Sequence, residues 1–107
     1  MEIKELMDFI TLEDKRLKEK FGHYADEEKR TLARTVKVGE EFGELCDEIL
    51  SKMSLQRKEK LTKSDKENLE KEFADVIITT LLLAKSIDID VAKAIENKII
   101  EINGRYK

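Results

Sequence analysis

Apolar residues recur every three or four positions along most of this chain, which is the spacing of helices that bury one face. Nowhere do apolar and polar residues alternate over the length of a strand. The first predicted helix runs from Glu2 to about Lys20. Its apolar stripe consists of Ile3, Leu6, Met7, Ile10, Leu17 and Phe21. The pattern therefore predicts an all-α protein.

Asp26 marks the start of a second predicted helix, because an aspartate can accept hydrogen bonds from the free N–H groups at a helix N-terminus. This helix should run from Glu27 to about Met53, after an interruption at Gly22. Its apolar stripe consists of Val38, Phe42, Leu45, Ile49 and Met53. A lysine-rich break is predicted over residues 54–63, so the next helix can fold back on this one.

A capping box of Ser64 and Glu67 predicts the start of a third helix that reaches about Ser86. Asp88 can cap a fourth helix. Its apolar side carries Val91, Ile95, Ile99, Ile102 and Tyr106. Over residues 76–83 the third helix is apolar on almost all sides, so it must be covered on several of them. Partner helices of the same chain or a second copy of the chain could supply this cover.

The composition fits one helical domain over residues 1–107. The chain has no proline, and 42% of its residues are charged, with a formal net charge of −3. Its abundant Glu, Lys and Leu side chains lose little freedom in a helix. Because the two signs of charge are interspersed, no basic surface for nucleic acid is expected. Cys46 is the only cysteine, which excludes an internal disulfide and a thiolate metal site.

No membrane or targeting segment is evident in the sequence. The first five residues are acidic overall and lack the apolar run of a signal peptide. The longest apolar stretch, over residues 76–84, includes two threonines and is much shorter than a membrane span. We therefore expect a cytoplasmic protein that has no membrane partner.

Two short acidic motifs carry the candidate chemistry. Glu41 and Glu44 lie three residues apart on the second predicted helix, and Glu72 and Asp75 lie three residues apart on the third. Residues at this spacing share one face of a helix. The point midway between Glu44 and Glu72 is residue 58, near the middle of the predicted break. If the two helices form a hairpin, the four carboxylates therefore meet at one level.

Four partly buried carboxylates cannot all remain ionised without a counter-charge, because like charges repel strongly at low dielectric. Either some of them become protonated or a cation lies among them. Ligand sets made only of oxygen favour Mg²⁺, with Mn²⁺ also possible. Mg²⁺ usually keeps open positions for water and phosphate oxygens, which would make the cluster a site for phosphate chemistry. Ordinary solvated acids on a Glu-rich surface are the alternative interpretation.

The two motifs resemble the signature of the all-α nucleoside triphosphate pyrophosphohydrolases known as MazG-like proteins. That signature is Glu-Glu-x-x-Glu followed, after an interval of a dozen to under thirty residues, by Glu-x-x-Asp. Here residues 40–44 read Glu-Glu-Phe-Gly-Glu and residues 72–75 read Glu-Phe-Ala-Asp, with 27 residues between them. The flanking segments 37–39 and 76–77 are also similar to the family, and the resemblance extends over about residues 34–106.

The resemblance implies a bundle-like protomer of four or five helices that forms a homodimer or, as a dimer of dimers, a homotetramer. It implies Mg²⁺-dependent hydrolysis of nucleoside triphosphates between the α and β phosphates, giving monophosphate and pyrophosphate. The residues that would hold the metal ions are Glu41, Glu44, Glu72 and Asp75. Glu40 and Glu41 are the candidate catalytic acids, and Glu40 or Glu48 would orient or deprotonate the attacking water.

The resemblance also implies a basic and amide-bearing segment near the last helix that contacts the phosphates. The candidate substrate-binding residues are Lys37, Lys98, Asn103 and Arg105, and the same segment includes Asn97 and Tyr106. Arg34 is an alternative phosphate partner. Lys98 and Arg105 also fit ordinary cations near a helix C-terminus. The aromatic residues that could stack on a nucleobase are Phe9, Tyr24, Phe42 and Phe73, but no pattern fixes the base.

Two other functions remain open at this point. A phosphoribosyl-ATP pyrophosphohydrolase of the same superfamily is one, although that family looks to carry a Tyr-His pair where residues 78–80 here read Ile-Thr-Thr. A non-enzymatic helical interaction module with incidental acids is the other. A di-iron carboxylate bundle is excluded, because it needs Glu-x-x-His motifs and His23 is the only histidine.

Overall fold

The computed structural model describes residues 1–21, 26–53 and 61–106 of the chain. These ranges contain no strand and form four helices: α1 (Ile3–Lys20), α2 (Glu27–Lys52), α3 (Lys63–Ser86) and α4 (Val91–Gly104). The predicted all-α class is therefore confirmed. None of the four helices is both long and apolar enough to cross a membrane. His23, Tyr24 and most of the predicted break lie outside the described residues.

The helices α2 and α3 form the central packed pair of the fold. Near one end of the pair, Lys52 Nζ lies 3.2 Å from Asp65 Oδ1, so the end of α2 meets the start of α3. Near the other end, Arg34 of α2 donates hydrogen bonds to the Leu82 carbonyl and the Ser86 hydroxyl of α3. The two helices are therefore antiparallel, as the predicted hairpin requires.

A small apolar core forms where α1 packs against α3. Ile10 of α1 contacts Leu81 and Leu82, and these three side chains are buried. Half-buried residues around them complete this core: Leu6, Met7, Leu17, Ile78 and Val91. The predicted stripe of α1 is therefore buried in its middle, but the prediction is wrong at its ends, where Ile3 and Phe21 are exposed.

The buried face of α2 follows its predicted apolar stripe only in part, with Val38 and Ile49 half-buried. Leu45 is buried, but Phe42 and Met53 are 57% and 60% exposed. Arg34 and Glu41 are buried instead. Buried charges need partners, and α1 and α3 present the partners of Arg34 on this side of α2. Polar contacts between helices thus set the rotation of α2, which the apolar stripe alone did not predict.

The start of α3 differs from the predicted capping box of Ser64 and Glu67. The cap is Thr62, whose hydroxyl accepts from Asp65 N–H at 3.0 Å, while the Asp65 carboxylate accepts from Thr62 N–H at 3.0 Å. Asp65 is also the partner of Lys52 on α2. This cap therefore begins the helix two residues earlier and joins it to the neighbouring helix, a contact that local sequence could not reveal.

The turn between α3 and α4 contains a second difference from prediction. The N-cap of α4 is Asp90, whose carboxylate accepts from Lys93 N–H at 3.1 Å, rather than Asp88. Asp88 has a φ of 56° and so occupies the left-handed region. Its N–H donates to the Lys85 carbonyl, and the N–H of Ile89 donates to the Ala84 carbonyl, which closes the end of α3. The turn needs a left-handed residue at position 88, and glycine is the residue that adopts this conformation without steric cost.

We expect Asp88→Gly to stabilise the protein by about 0.5–1 kcal/mol, because it removes the Cβ that makes the left-handed conformation costly. The measurement is the free energy of unfolding in urea at one fixed protein concentration. Asp88→Ala is the matched variant, since it keeps a Cβ and should be less stable than the wild type. A glycine variant that is less stable than the alanine variant would contradict the backbone explanation.

Candidate metal centre on the helical hairpin

Acidic residues of α2 and α3 converge where the two helices face each other. One carboxylate oxygen from each of Glu41, Glu72 and Asp75 lies within 4.8 Å of the others. Glu72 and Asp75 share a face because they lie three residues apart on α3, and the hairpin brings Glu41 of α2 to the same level. We call these three residues the acid cluster. The structure thus brings together three of the four residues that the sequence indicated as metal ligands.

Two oxygens of the acid cluster are buried without a hydrogen-bond donor in the described structure. They are Oε2 of Glu41 and Oε2 of Glu72. Glu41 is only 7% exposed. A buried acceptor that makes no hydrogen bond lowers stability and needs an explanation. Carboxylate oxygens directed into a shared space are suited to a hard divalent cation, so the donor set fits Mg²⁺ or Mn²⁺.

The pKa of Glu72 is raised above its ordinary value of 4.5. Burial is the largest cause, because it disfavours the charged form of a carboxyl group. Repulsion from nearby carboxylates adds to it, and the contributing residues are Glu44, Asp75, Glu41 and Glu48. Without a cation, the cluster therefore resists full ionisation, as predicted for acids crowded at one level.

The remaining acids of the first motif lie around the cluster. Glu44 is exposed and is not among the three closely spaced carboxylates, although its charge acts on Glu72. Glu48 is half-buried and also acts on Glu72. Glu40 is exposed, so its carboxylate is accessible to water. These positions leave Glu44 as a candidate fourth ligand and Glu40 or Glu48 as candidate partners of a water molecule.

A lysine lies at the edge of the acid cluster. Lys37 Nζ is 3.1 Å from Glu41 Oε1 and 3.8 Å from Glu40 Oε2. The hydrogen bond to Glu41 is the main reason that the pKa of Lys37 is raised, so its ammonium group stays protonated. About half of this side chain is exposed. Lys37 can therefore contact an anionic ligand that approaches the cluster from solvent.

The candidate phosphate-binding residues of α4 are not brought to the acid cluster by any contact that the structure describes. Lys98 Nζ lies 2.8 Å from Glu101 Oε2, and Arg105 Nη2 lies 3.4 Å from Glu101 Oε1, so both cations pair with the same acid of α4. Asn103 is exposed, as are all residues from 93 to 106. The part of these residues in substrate binding remains a prediction.

The candidate base-stacking residues are also exposed within the described chain. Phe42 and Phe73 are 57% and 50% exposed, and Phe9 is 39% exposed. Tyr24 lies outside the described residues. The structure therefore selects none of the four as a nucleobase contact.

A buried ion pair joins three helices two turns from Glu41. Arg34 Nη1 donates to Asp14 Oδ1 at 2.7 Å, and it also donates to Ser86 Oγ at 2.8 Å. Lys18 Nζ lies 2.9 Å from the other oxygen of Asp14. Burial alone would raise the pKa of Asp14, but the hydrogen bonds from Lys18 and Arg34 outweigh burial and hold this pKa below 3.8.

Sequence reasoning missed this ion pair and treated Arg34 as an alternative phosphate partner. In the structure Arg34 is 3% exposed and is engaged with Asp14, so it is a structural residue. One signal was present in the sequence. Asp14 lies between Ile10 and Leu17 on the apolar stripe of α1, and a charged residue in such a stripe indicates a buried partner on another helix.

A cavity of about 160 Å³ lies between α1, α2 and α3 beside the acid cluster. Its lining consists of Leu17, Arg34, Lys37, Thr79 and Leu82. Thr79 is one turn beyond Asp75 on α3 and donates to its carbonyl at 2.7 Å. Because Lys37 also contacts Glu41, the cavity and the acid cluster share one wall.

We expect Glu72→Gln to raise the melting temperature of the metal-free protein and to reduce the further rise that Mg²⁺ produces. A carboxyl group whose pKa is raised on folding lowers stability as pH rises through that pKa, so removing its charge stabilises the protein at neutral pH. The same change removes a ligand, which weakens stabilisation by bound cation. Glu70→Gln is the control, because Glu70 is exposed on α3 outside the cluster. Equal melting behaviour of the two variants, with and without Mg²⁺, would contradict the crowding of charge at Glu72.

Comparison with known proteins identifies the family of the chain. A family model described as the MazG-like family matches residues 32–107, which is more than half of the chain and includes all three residues of the acid cluster. The chain belongs to the MazG-like family. No curated protein and no solved structure matches it significantly. The resemblance that the two acidic motifs indicated is therefore confirmed.

Proposed function

We propose that this protein hydrolyses nucleoside triphosphates between the α and β phosphates, using Mg²⁺ held by the acid cluster. The observation that carries the proposal is the convergence of Glu41, Glu72 and Asp75, with two buried oxygens that lack a donor. Membership of the MazG-like family supports pyrophosphohydrolase chemistry at the level of the family.

Glu41, Glu72 and Asp75 would hold the metal, and Glu44 is the candidate fourth ligand. Bound Mg²⁺ supplies Lewis-acid neutralisation of the phosphate charge and lowers the pKa of water. The raised pKa of Glu72 fits this assignment, because a cation would relieve the repulsion among the acids. The cation would also provide the missing partner for the buried oxygens of Glu41 and Glu72.

The other residues of the site would position the phosphates and the attacking water. The protonated ammonium of Lys37 would bind phosphate oxygens at the exposed edge of the cluster. Glu40 or Glu48 would accept a proton from the water as its oxygen attacks the α phosphorus. The bond from that phosphorus to the bridging oxygen breaks, and pyrophosphate leaves with the electron pair. We also propose that Lys98, Asn103 and Arg105 bind the phosphates.

The test is product analysis after incubation with Mg²⁺ and a panel of ribonucleoside and deoxyribonucleoside triphosphates. We expect monophosphate and pyrophosphate, rather than diphosphate and phosphate. In water enriched in ¹⁸O, the label should enter the monophosphate, because the attack is on the α phosphorus. Asp75→Asn should lose the reaction, whereas Asp8→Asn, the same change at an exposed residue of α1, should retain it.

If none of the nucleoside triphosphates is hydrolysed, one of the two alternative functions is favoured. Turnover of phosphoribosyl-ATP alone would indicate the other pyrophosphohydrolase of the superfamily. Turnover of no substrate, together with no change in melting temperature on adding Mg²⁺ or Mn²⁺, would favour a non-enzymatic interaction module and reject the proposed metal site.

A further inference from the structure

The cavity beside the acid cluster, which we call the side cavity, has the size of a single ring. Its volume is about 160 Å³, and its lining consists of Leu17, Arg34, Lys37, Thr79 and Leu82. Cavities that enclose a whole drug-sized ligand are larger, at roughly 300–1,000 Å³. In another protein, an apolar cavity of roughly 150 Å³ binds benzene. A complete nucleoside therefore exceeds the side cavity, whereas one six-membered ring fits it.

The side cavity has an exposed mouth beside the acid cluster and a buried far end. Lys37, whose side chain is 51% exposed, contacts Glu41 of the cluster and lines the mouth. Arg34 and Leu82 are 3% and 7% exposed and form the inner wall. Along α3, Leu82 lies two turns, or roughly 10 Å, beyond Asp75 of the cluster. A ligand whose phosphates lie at the cluster can therefore place a ring in the side cavity.

The buried ion pair fixes the inner wall of the side cavity. Arg34 Nη1 donates to Asp14 Oδ1 at 2.7 Å and to Ser86 Oγ at 2.8 Å. It also donates to the Leu82 carbonyl at 3.0 Å. Because these partners belong to α1 and α3, Arg34 cannot move aside without breaking contacts between helices. Close-packed interiors accept little added volume, so the side cavity resists enlargement toward the core.

The lining of the side cavity suits a nucleobase better than a sugar. Leu17 and Leu82 supply apolar contact from α1 and α3. The Thr79 hydroxyl donates to the Asp75 carbonyl at 2.7 Å, so its oxygen can accept from an N–H group of a ligand. A sugar would bring several hydroxyl groups into this space, and each buried hydroxyl without a partner lowers affinity. A base has two flat faces and few polar atoms at its edge, which matches a mainly apolar pocket with one placed polar group.

We propose that the side cavity receives the pyrimidine base of the substrate, so that the protein selects pyrimidine over purine nucleoside triphosphates. This inference rests on the proposed function, because the phosphates of the nucleotide must lie at the acid cluster. A pyrimidine is one six-membered ring, whereas a purine is two fused rings. A purine must therefore stay outside the side cavity or displace the wall that Arg34 and Leu82 form. The Thr79 oxygen accepts from an N–H group on the edge of the pyrimidine.

The first test is kcat/KM for the deoxyribonucleoside triphosphates of cytosine, thymine, adenine and guanine at saturating Mg²⁺. We expect the values for both pyrimidines to exceed those for both purines by about 10- to 100-fold, which is the range that forcing extra volume into a packed site costs. Equal values for the four substrates, or higher values for the purines, would overturn this inference and leave the proposed function intact.

Binding of nucleoside monophosphates separates the choice of base from the reaction. In calorimetric titrations with Mg²⁺ present, we expect cytidine monophosphate to bind about 10-fold more tightly than adenosine monophosphate. If no triphosphate is hydrolysed but this preference persists, the proposed reaction is wrong and the base site is supported. If neither monophosphate binds and no triphosphate is hydrolysed, the inference and the proposed function are both rejected.

Leu17→Ala tests the size of the side cavity, because it enlarges the cavity and keeps the inner wall. We expect kcat/KM for the purines to rise relative to the pyrimidines by about 10-fold, since the shortened side chain leaves space for a second ring. Leu6→Ala is the matched control. Leu6 is also a half-buried leucine of α1 that packs against the core, but it does not line the side cavity. An unchanged preference in Leu17→Ala, or the same change in Leu6→Ala, would contradict the assigned walls.

Thr79→Val tests the polar contact, because it keeps the size of the side chain and removes the acceptor. We expect kcat/KM for the pyrimidines to fall by about 3- to 10-fold, the cost of one hydrogen bond, and Thr79→Ser to restore it. Thr80→Val is the control, since the Thr80 hydroxyl donates to the Val76 carbonyl at 2.7 Å but is exposed outside the side cavity. Equal effects of Thr79→Val and Thr80→Val on the pyrimidines would overturn the assignment of Thr79 as the base contact.

Discussion

Glu41→Gln is expected to lower the rate of pyrophosphate release by more than about 100-fold while leaving the helices folded. Loss of a residue that only supports a metal ligand already costs about 10- to 100-fold, so loss of a ligand charge should cost more. Glu41 is the most buried member of the acid cluster, and one of its oxygens has no donor in the described structure. The substitution therefore removes charge at the place where the geometry favours a cation most. The assay is the initial rate of pyrophosphate release at saturating Mg²⁺, with circular dichroism as the check on folding.

Two matched variants serve as the control and the comparison for the loss of activity in Glu41→Gln. Glu70→Gln changes an exposed acid of α3 and should leave the rate unchanged. Glu44→Gln changes the predicted fourth ligand, which lies outside the three closely spaced carboxylates, so we expect a smaller loss than for Glu41→Gln. Equal losses for Glu41 and Glu44 would favour the four-ligand set that the family signature implies. Full activity of Glu41→Gln would reject the acid cluster as the catalytic metal site.

Arg34→Met is expected to destabilise the fold by about 3 kcal/mol. Breaking a buried ion pair costs roughly 3–5 kcal/mol, because one charge remains buried without its partner. The lower end applies here, since Asp14 keeps its contact with Lys18 at 2.9 Å. The melting temperature should fall by roughly 10–20 °C at fixed protein concentration. The exposed pair of Arg105 and Glu101 provides the control, and Arg105→Met should cost less than about 0.5 kcal/mol.

A double-mutant cycle separates the ion pair from the packing of its side chains. Asp14→Leu and Arg34→Met together should cost less than the sum of the single changes, because the double variant leaves neither member of the buried pair without its partner, and Lys18, which loses Asp14, is 40% exposed. The pH dependence has a defined sign. The pKa of Asp14 is lowered on folding, so its contribution is present above pH 3.8 and is lost as pH falls through the lower folded pKa. Additive costs, or equal acid stability of wild type and Asp14→Leu, would contradict a stabilising pair.

The sequence was sufficient to place the helices along the chain, because apolar periodicity is a local signal. The bounds of α1, α2 and α4 lie within a few residues of the predictions, because apolar periodicity and caps act over a single turn. The cap at Asp26 is present, with its carboxylate accepting from Lys29 N–H. The predicted caps of α3 and α4 were each wrong by two residues, since Thr62 caps α3 and Asp90 caps α4.

The candidate site was predictable in part for the same reason. Helical spacing placed Glu72 beside Asp75, and equal distances from the break brought Glu41 to their level. The rotation of α2 was not predictable, since it depends on Arg34 reaching Asp14 and Ser86. That rotation buries Glu41 and leaves Phe42 in solvent. It also buries Arg34 to 3% exposure and pairs it with Asp14.

The sequence by itself therefore determined four helices, a hairpin of α2 and α3, and a set of four candidate ligands that includes the three residues of the acid cluster, because repeat spacing and motif order fix these features along the chain. Only the tertiary structure decided which charges are buried and which apolar faces stay open. Burial depends on the rotation and direction of whole helices, and contacts between distant residues set both. The ion pair of Asp14 and Arg34 and the exposed apolar side chains of α4, such as Ile95 and Ile99, are the two results of that kind.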